Sequence, residues 1–471
     1  MTTDSKKTQT VTDYHGTSYS LVKKIGEGGQ GMVLTTNHPN LVVKVSNAYT
    51  SEMQLKDDLA QIQTVMRLPL RDLKIALPLS LLKFKNRVGY VMELMDGLES
   101  LSSQIERIQN NATDTILYRD TGSFGRRLQI LKQLAETLAK LHGRGLAFGD
   151  LSPNNIFVSQ SVEHHQVWLI DADNIHSQEQ FNQHSFHTKN YAAPELIRKE
   201  SGNNTQTDAW SFAVIALQLL ANIHPFNNGI AVQDEEPEIA EEKSERGEFP
   251  WIFDTEDDSN EWSGVGFPII RMLNQRLFKL FQRCFGESRT AGSIYTRPTM
   301  GEWHYELHRA TRLLLKCQTE DCHSSFIAIN NDLICPFCNQ PHLPEQHTRF
   351  SLWLYDTDDL AQDNPWTSCS EQFFLSLGEE QKIYHEPYSY FDMDALKPWC
   401  TLKLTEEGLQ ITPEHGETVI MQNKEGSTKA NFTKSKLLKA EQKGHKDLLL
   451  SHPSLQTTEN QPFAFFWRFT W

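Results

Sequence analysis

The stretch that decides the fold reads Leu146-Ala-Phe-Gly-Asp-Leu-Ser-Pro-Asn-Asn-Ile-Phe157, and nine residues later it continues as Val167-Trp-Leu-Ile-Asp171. Asp150 stands on a loop, and Asn155 follows it five residues later. Asp171 closes a short apolar run that we predict to be a buried strand. Phosphoryl transfer from a magnesium-bound nucleotide needs such a set, because one carboxylate orients the attacking hydroxyl while an amide and a second carboxylate hold the metal. Taken singly, however, carboxylates like these are more often ordinary loop caps.

Composition predicts a soluble protein of two or three domains. The chain has 471 residues, of which 38% are hydrophobic and 22% are charged. Its apolar runs fall short of the roughly 20 residues of a membrane span, and its polar start does not resemble a signal peptide. Seven cysteines without a secretory segment favour the cytoplasm, where clustered cysteines bind metal more often than they form disulfides. We therefore expect a cytoplasmic protein without a membrane partner.

The net charge of −15 is concentrated in one part of the chain. Residues 234–261 hold thirteen acidic residues and only two basic ones. Nucleic acid is therefore not expected as a partner, because its phosphates need a basic surface. The acidic segment, residues 233–263, has no helical periodicity, and we predict an exposed loop. Such a loop is either a solvated tract or a docking surface for a basic partner.

A glycine-rich stretch near the N-terminus predicts a hairpin that covers phosphates with backbone N–H groups. Its G-x-G-x-x-G-x-V pattern runs from Gly26 to Val33. A dinucleotide-binding fold uses a similar string but continues directly as a helix, whereas the residues from Met32 to Thr36 are β-prone. The next predicted strand carries Lys44 inside an apolar run. A buried ammonium needs an anionic partner, which phosphate would supply.

Further motifs follow in a fixed order along the chain. A polar segment after Asp171 ends in Tyr191-Ala-Ala-Pro-Glu195, Asp208-Ala-Trp-Ser-Phe-Ala213 opens an apolar helix, and Arg297-Pro-Thr299 comes last. In this order the chain resembles the protein-kinase family, with Asp150 in its catalytic loop, Asp171 in its D-F-G motif and Glu195 in its A-P-E motif. The resemblance covers residues 21–315. It implies an α+β, bilobal protein-kinase-like fold, followed by a zinc ribbon and a small β-rich domain.

The resemblance also implies a role for each site residue. Asp150 would orient the attacking hydroxyl, and Lys44 would hold the α- and β-phosphates of ATP. Asn155 and Asp171 would hold Mg²⁺ or Mn²⁺. The predicted nucleotide-binding residues are Ile25, Gly26, Gly28, Gly31, Val33, Lys44, Met92, Glu93, Met95, Asn155 and Asp171.

Secondary contacts follow from the same resemblance. Thr188 would contact the substrate loop, and Asp208 would brace the catalytic loop. Arg297 would pair with Glu195 in a buried ion pair. We expect Asp173, which lies beside the metal-binding carboxylate, to face water.

The chain departs from the family pattern at several positions. Gln61 replaces the helical glutamate that pairs with the lysine, and we expect Asp57 or Asp58 to substitute. Phe148-Gly149 replaces His-Arg, which removes the arginine that pairs with a phosphorylated activation segment. We favour a serine/threonine protein kinase whose activity does not depend on that phosphorylation. A nucleotide-binding pseudokinase scaffold and a small-molecule kinase of the aminoglycoside-phosphotransferase type are the alternatives.

Four cysteines after the kinase-like part predict a structural zinc site. Cys317 and Cys322 are separated by twelve residues from Cys335-Pro-Phe-Cys338. Two such pairs suit tetrahedral zinc, and four thiolates leave no open coordination position. Ser325 to Ile329 can form the hairpin of a zinc ribbon, while His323 and His342 are expected to be bystanders.

The remaining residues change in character, and short apolar runs alternate with turn residues. They predict a small β-rich domain whose final strand, Phe463 to Trp471, is buried. The predicted domains are a disordered tail (1–17), a kinase domain (18–315, with lobes 18–95 and 96–315), a zinc ribbon (316–343) and the β-rich domain (344–471). A kinase domain fused to a four-cysteine ribbon resembles bacterial stress-response kinases. That resemblance implies a von Willebrand A-domain protein and a phosphatase as partners.

Overall fold

The structure is a computed structural model that divides the chain into two compact units. Unit 1 is formed from residues 1–122, 129–268 and 278–304, and unit 2 from residues 123–128, 269–277 and 305–471. Within them, the structure describes residues 9–28, 31–109, 114–178, 187–289, 294–329, 333–342, 346–357, 365–385, 396–424, 426–444, 446–458 and 461–471. Among these residues, no helix is both long and apolar enough to cross a membrane.

Unit 1 opens with a six-stranded antiparallel sheet in the order β1-β2-β3-β4-β6-β5. Its strands are β1 (Thr10–Thr12), β2 (Ser18–Gly28), β3 (Gly31–Thr36), β4 (Leu41–Ser46), β5 (Ser80–Leu81) and β6 (Gly89–Glu93). The predicted glycine-rich hairpin is therefore β2 and β3, and the lysine-bearing strand is β4. Apolar side chains of β2 to β6 alternate between the two faces of the sheet, which each carry a hydrophobic cluster.

The predicted disordered tail is wrong for residues 9–17. Strand β1 pairs with β2, and the side chain of Val11 is buried against the sheet. The Asp13 carboxylate is also buried. It accepts hydrogen bonds from the Thr17 N–H (2.8 Å) and the Ser80 hydroxyl (2.9 Å), which replace its contacts with solvent. Residues 1–8 of the predicted tail lie outside the described part of the chain.

Helix α1 (Glu52–Val65) follows β4 and carries Gln61. Ser51 caps its N-terminus by accepting a hydrogen bond from the Gln54 N–H at 3.3 Å. Ile62 and Val65 are its buried side chains, and Ile62 joins a hydrophobic cluster with β4 and β6. This packing places Gln61 within hydrogen-bond distance of the segment that follows Asp171.

The chain then becomes mainly helical. The elements are β7 (Leu98–Ser100), α2 (Leu101–Gln109), α3 (Thr115–Asp120), α4 (Ser123–His142), β8 (Leu146–Ala147), β9 (Ile156–Ser159), β10 (Val167–Leu169), β11 (His176–Ser177), α5 (Pro194–Ile197), α6 (Thr205–Ala221), α7 (Ile230–Gln233), α8 (Pro237–Glu245), α9 (Gln275–Phe281) and α10 (Met300–Arg312). Short 3-10 turns cover Pro153–Asn155, Ala172–Asn174, Ile269–Arg271 and Ile294–Thr296. Two small antiparallel sheets, β10-β9-β7 and β11-β8, carry the loops that the sequence marks as catalytic.

Helix α6 is the core of this helical part. Nearly all of its side chains are buried, as expected for a helix that is apolar all round. Asn204 and Thr207 close its N-terminus with a reciprocal capping box. Asp208 therefore enters a buried position at the first turn of a well-fixed helix.

The acidic segment is folded, so the predicted exposed loop is wrong. Helix α8 lies within it, and Ala240 and Ser244 form its buried side. Trp251 is fully buried and Asn260 is completely enclosed. The Asn260 amide donates to the carbonyl oxygens of Phe226 (3.2 Å) and Pro250 (3.0 Å). The sequence did not predict this helix because only Ala240 and Ser244 of α8 are buried, so the segment shows no apolar periodicity.

In unit 2, strands β12 (Leu314–Lys316) and β13 (Ser325–Ile327) form an antiparallel pair. Strand β13 lies within the residues predicted to form the ribbon hairpin (325–329), and its partner β12 precedes the first cysteine of the group. The later strands are β14 (His347–Asp356), β15 (Trp366–Ser376), β16 (Glu380–Tyr384), β17 (Pro398–Thr405), β18 (Gly408–Pro413), β19 (Val419–Asn423), β20 (Lys429–Phe432), β21 (Lys436–Lys439), β22 (Asp447–Ser451) and β23 (Phe463–Thr470). Short 3-10 turns lie at Ala440–Gln442 and Pro453–Leu455.

The later strands form two antiparallel sheets with the orders β15-β14-β23-β22-β19-β20 and β16-β17-β18-β21. Side chains from both sheets meet in one hydrophobic cluster, which includes Phe350, Leu402 and Trp467. Strand β23 lies between β14 and β22, which confirms the prediction that the aromatic C-terminal stretch is a buried strand. The Glu406-Glu-Gly408 turn joins β17 and β18 as a hairpin.

A buried ion pair in unit 1 confirms the predicted contact between Arg297 and Glu195. Arg297 Nη1 lies 2.9 Å from Glu195 Oε1, and the two side chains are 0% and 3% exposed. The guanidinium also donates to the Gln206 and Ser288 carbonyl oxygens at 2.8 and 3.1 Å. This arginine is thus buried with an anionic partner and with carbonyl acceptors.

We expect Arg297→Met to destabilise unit 1 by about 3–5 kcal/mol, because it leaves the Glu195 carboxylate buried without its partner. The control is Arg246→Ala, which breaks the surface pair with Glu248 and should cost about 0–1 kcal/mol. Urea denaturation followed by tryptophan fluorescence measures both. Equal losses in the two variants would contradict the assignment.

Candidate functional site

Lys44 lies at the centre of the site and is held by two carboxylates. It stands on β4, and its side chain is 11% exposed. Nζ lies 2.9 Å from Asp171 Oδ1 and 2.9 Å from Asp173 Oδ2. Burial alone would lower the pKa of Lys44, but Asp173 and then Asp171 raise it above its ordinary value. The lysine is therefore a fixed cation at neutral pH.

Asp173 is tied to two further elements of unit 1. The Tyr90 hydroxyl of β6 donates to Asp173 Oδ1 at 2.8 Å. Burial, followed by the charge of Asp173, raises the pKa of Tyr90 well above its ordinary value, so the phenol keeps its proton. From α1, Gln61 Nε2 donates to the carbonyl oxygens of Asp173 (2.9 Å) and Ile175 (2.8 Å). The segment 171–175 is thus fastened to the sheet and the helix together.

Two predictions about this region are wrong. Asp173 does not face water, because its carboxylate pairs with Lys44 and Tyr90. Neither Asp57 nor Asp58 replaces the helical glutamate as the partner of Lys44 among the described residues; Asp58 instead accepts a hydrogen bond from the Tyr49 hydroxyl. The sequence pattern suggested that helix α1 provides the second carboxylate for Lys44. In the structure, Asp173 on the loop after Asp171 provides it.

Asp150 and Asn155 lie beside this group on the loop between β8 and β9. Asn155 Nδ2 donates to the Asp150 carbonyl oxygen at 2.9 Å and approaches its Oδ2 at 3.4 Å. The Thr188 hydroxyl donates to Asp150 Oδ1 at 2.9 Å. This last contact brings the polar segment before Glu195 against the catalytic loop, whereas the predicted contact of Thr188 with the substrate loop stays a prediction.

The backbone of Asp171 is in the left-handed region, with φ 60° and ψ 53°. A non-glycine residue in this region is uncommon, and such strain collects at functional sites. Burial raises the pKa of Asp171, an effect that the charge of Lys44 opposes. The strained turn points the carboxylate at the lysine and into the same cavity as Asn155.

Asp208 braces the catalytic loop, as predicted. Its carboxylate accepts hydrogen bonds from the Phe148 N–H (2.7 Å) and the Gly149 N–H (3.0 Å). His142 Nε2 lies 3.0 Å from the same carboxylate. On the other side, the Asn203 amide donates to the Gly149 carbonyl oxygen. The backbone before Asp150 is thus held at several points.

Gly149 cannot be exchanged for the arginine of the usual family pattern without a change in the loop. Its φ of +93° favours glycine, and a Cβ at this position would lie 2.8 Å from the Asn174 carbonyl oxygen. The departure at this position is therefore built into the local backbone.

A cavity of about 740 Å³ joins these groups. Its size suits a nucleotide. Ten of the eleven predicted nucleotide-binding residues line it, as do Asp150 and Thr188, while the surroundings of Gly28 lie outside the described part of the chain. The lining also includes Val42, Ala76, Leu94, Phe157 and Ile170, which the sequence did not single out. Its lining combines apolar side chains, which fit a purine base, with carboxylate and amide oxygens, which fit metal-bound phosphates.

The sequence model of the family described as "Protein kinase domain" matches residues 19–302, which is more than half of the chain. The chain belongs to the protein kinase family. The matched part contains the cavity and all of the contacts described above.

Three relatives of this protein kinase are distant and are longer than this chain. Serine/threonine-protein kinase PknD of Chlamydia felis is 24% identical over 239 residues, which is 45% of this chain and 25% of the relative. The carbon catabolite-derepressing protein kinase of Saccharomyces cerevisiae is 26% identical over 233 residues (48% and 34%). Serine/threonine-protein kinase dkf-2 of Caenorhabditis briggsae is 27% identical over 152 residues (31% and 13%). The match spans about a third or less of each relative's length.

The kinase chain brings its four predicted zinc-binding cysteines together in unit 2. Their Sγ atoms all lie within 4.8 Å of one another. Cys317 and Cys338 are 3.5 Å apart at sulfur, and Cys322 and Cys335 are 3.8 Å apart. A tetrahedral ion with Zn–S bonds of about 2.3 Å needs sulfur atoms about 3.8 Å apart, so the four thiols fit zinc. His323 and His342 lie outside this group, as predicted.

We expect Asp173→Asn to lower the pKa of Lys44, because the variant removes the carboxylate that raises it most. The neutral amine fraction then rises, and Lys44 should be acetylated faster by acetic anhydride, as measured by peptide mass spectrometry. Asp58→Asn is the control, and the exposed Lys56 serves as an internal standard. Unchanged labelling of Lys44 in Asp173→Asn would show that Asp171 alone fixes the cation.

Proposed function

We propose that this chain is a serine/threonine protein kinase that transfers the γ-phosphate of ATP to protein hydroxyls. The observation that carries the proposal is the hydrogen bond from Thr188 to Asp150 at 2.9 Å. It joins the segment that precedes the A-P-E motif to the carboxylate that would orient the substrate. The neighbouring metal-site pair, Asn155 and Asp171, lines the same cavity.

Each residue has a role that follows from its position. Asp150 would accept a hydrogen bond from the substrate hydroxyl and align it for in-line attack. Lys44 has three N–H donors, of which two are directed at Asp171 and Asp173, and the third can be given to a phosphate oxygen. Asn155 and Asp171 would hold Mg²⁺, which neutralises charge on the phosphates when bound.

Asp173 would act as a positioning residue in this kinase. It takes the place that a helical glutamate has in the family, and Gln61 joins α1 to its backbone. The lysine partner is thus attached directly to the segment that bears Asp171. Both carboxylates would move with that segment as one unit.

A nucleotide-binding scaffold without turnover is the second candidate. The pairing of Lys44 with two carboxylates favours it, because each pair competes with phosphate for the ammonium. A small-molecule kinase is less well supported. The segment from Asp171 to Glu195 is typical of kinases that act on proteins. It is held in place by the buried pair of Glu195 with Arg297 and by the contact of Thr188 with Asp150.

We also propose a cytoplasmic signalling role in bacteria, with a structural zinc ion at the four cysteines and a separately folded β-rich C-terminal domain. The cluster of free thiols supports the zinc site and a reducing compartment. A von Willebrand A-domain protein and a phosphatase remain predicted partners from the family resemblance.

We expect Asp150→Asn to lower phosphate transfer from labelled ATP to a generic protein substrate by about 100-fold or more, because it removes the group that aligns the hydroxyl. Nucleotide binding, measured by calorimetry, should stay within severalfold. The control is Asp120→Asn, which changes an exposed carboxylate. Binding without transfer in the wild type would favour the scaffold, and transfer only to metabolites would favour the small-molecule kinase.

We expect activity not to require phosphorylation of the segment between Asp171 and Glu195. The double variant Ser177→Ala/Ser185→Ala removes its hydroxyls other than Thr188 and Tyr191, and transfer should change by less than about threefold, since Gly149 offers no guanidinium to a phosphate. Thr188→Ala is the positive control for loss. A drop of a hundredfold in the double variant would contradict this mode of regulation.

A further inference from the structure

A second group of metal-ligating side chains lies in unit 2, at the ends of three strands. His385 directly follows β16, Glu417 precedes β19 by two residues, and His452 directly follows β22. Their ligand atoms all lie within 4.8 Å of one another. Residues far apart in the sequence are thus brought to one point by the strand order.

The two imidazoles share both of their polar neighbours. At one side, His452 Nε2 and His385 Nε2 lie 3.0 and 3.9 Å from the two oxygens of Glu417. At the other side, His452 Nδ1 and His385 Nδ1 lie 2.8 and 3.3 Å from the Ser454 hydroxyl. The rings are perpendicular, with centroids 4.4 Å apart. Both Nε2 atoms therefore face the same carboxylate.

This arrangement has the composition of an open zinc site. Two imidazole nitrogens and one carboxylate are a ligand set that holds zinc while a fourth position stays free. Bonds of about 2.0–2.2 Å require ligand atoms roughly 3.3–3.6 Å apart, which small side-chain rotations would reach from the present spacing. The Glu417 side chain is 39% exposed, so solvent can reach the group.

Ser454 supplies the outer hydrogen bond that metal-bound histidines use. Its N–H donates to His452 Nδ1 at 3.1 Å, so the ring proton stands on Nε2 and is donated to Glu417. Metal binding at His452 Nε2 requires the ring proton to be on Nδ1. The Ser454 N–H would then lose its acceptor there, and the Ser454 hydroxyl oxygen, 2.8 Å from Nδ1, would accept the hydrogen bond from the ring instead. The imidazole of His452 would thus keep one proton, now on Nδ1, and the metal ion would take the place of the Nε2 proton between the ring and the Glu417 carboxylate.

We propose that His385, Glu417 and His452 form a second metal site, which takes a divalent transition-metal ion such as Zn²⁺ and leaves one coordination position open to solvent. Imidazole ligands select such ions over Mg²⁺ and Ca²⁺, which prefer oxygen. The site is chemically distinct from the four cysteines, whose thiolates complete their own tetrahedron.

The full-length chain tests this by equilibrium dialysis against Zn²⁺ and elemental analysis. We expect two ions per wild-type chain, one per His385→Asn chain, and one per Cys335→Ser chain. His415→Asn is the matched control, because His415 is an exposed histidine of the same loop as Glu417, and asparagine tolerates its φ of 48°. This control should bind two ions.

Milder variants guard against loss of folding. Glu417→Gln keeps a hydrogen-bond acceptor for His452 but removes the ligand charge, and Ser454→Ala removes the outer hydrogen bond; we expect each to weaken the second ion by about 10- to 100-fold. Co²⁺ separates the two sites in the wild type, because thiolate charge-transfer bands arise only at the cysteines. A single ion per wild-type chain, lost in Cys335→Ser, would overturn the proposal. So would Zn²⁺ binding unchanged in His385→Asn and Glu417→Gln.

Discussion

The ammonium of Lys44, buried between two carboxylates, is the constraint on which the architecture of the kinase site depends. A buried cation is costly unless it is paired and hydrogen-bonded. Asp171 and Asp173 meet that demand, and Tyr90 saturates the remaining oxygen of Asp173. Strand, helix and loop must therefore come together at one place. Removing either carboxylate would leave the buried ammonium with only one of its two anionic partners.

The exchange of a helical glutamate for Gln61 changes what the helix does. In the usual family arrangement, the helix contributes charge to the lysine. Here it contributes a neutral amide that holds the backbone of residues 173–175. Both carboxylates that pair with the lysine come from the segment after Ile170 and not from the helix. Control of this kinase through the helix would then act on the position of the 171–175 segment and only indirectly on the charge of Lys44.

The catalytic loop is likewise held by fixed contacts within the domain. Asp208 holds two successive N–H groups, and Asn203 holds the carbonyl oxygen of Gly149. The loop is therefore ordered by side chains that need no modification. This agrees with the absence of an arginine at position 149, where the backbone conformation favours glycine. In unit 2, side chains from different strand ends likewise fix one another, since His385 and His452 both lie between Ser454 and Glu417.

The sequence by itself determined the order of the kinase motifs, the four-cysteine group and many of the residues that line the cavity beside Lys44. These depend on local patterns: glycine spacing, an isolated lysine in an apolar strand and paired cysteines. It also located the buried C-terminal strand, because a run of large aromatic side chains is favoured in a strand that packs in a hydrophobic core. The folded acidic segment and strand β1 escaped it, since both are short and are anchored by single buried contacts.

Only the tertiary structure decided which carboxylate serves Lys44 and which histidines meet. Asp173 is two residues from a predicted ligand, yet its orientation depends on the left-handed turn at Asp171 and on a tyrosine of β6. A signal was present, because a tyrosine hydroxyl in a buried strand needs a partner. His385, Glu417 and His452 carry no common motif, since each follows or precedes a different strand. Their proximity arises from strand order, which no local pattern encodes.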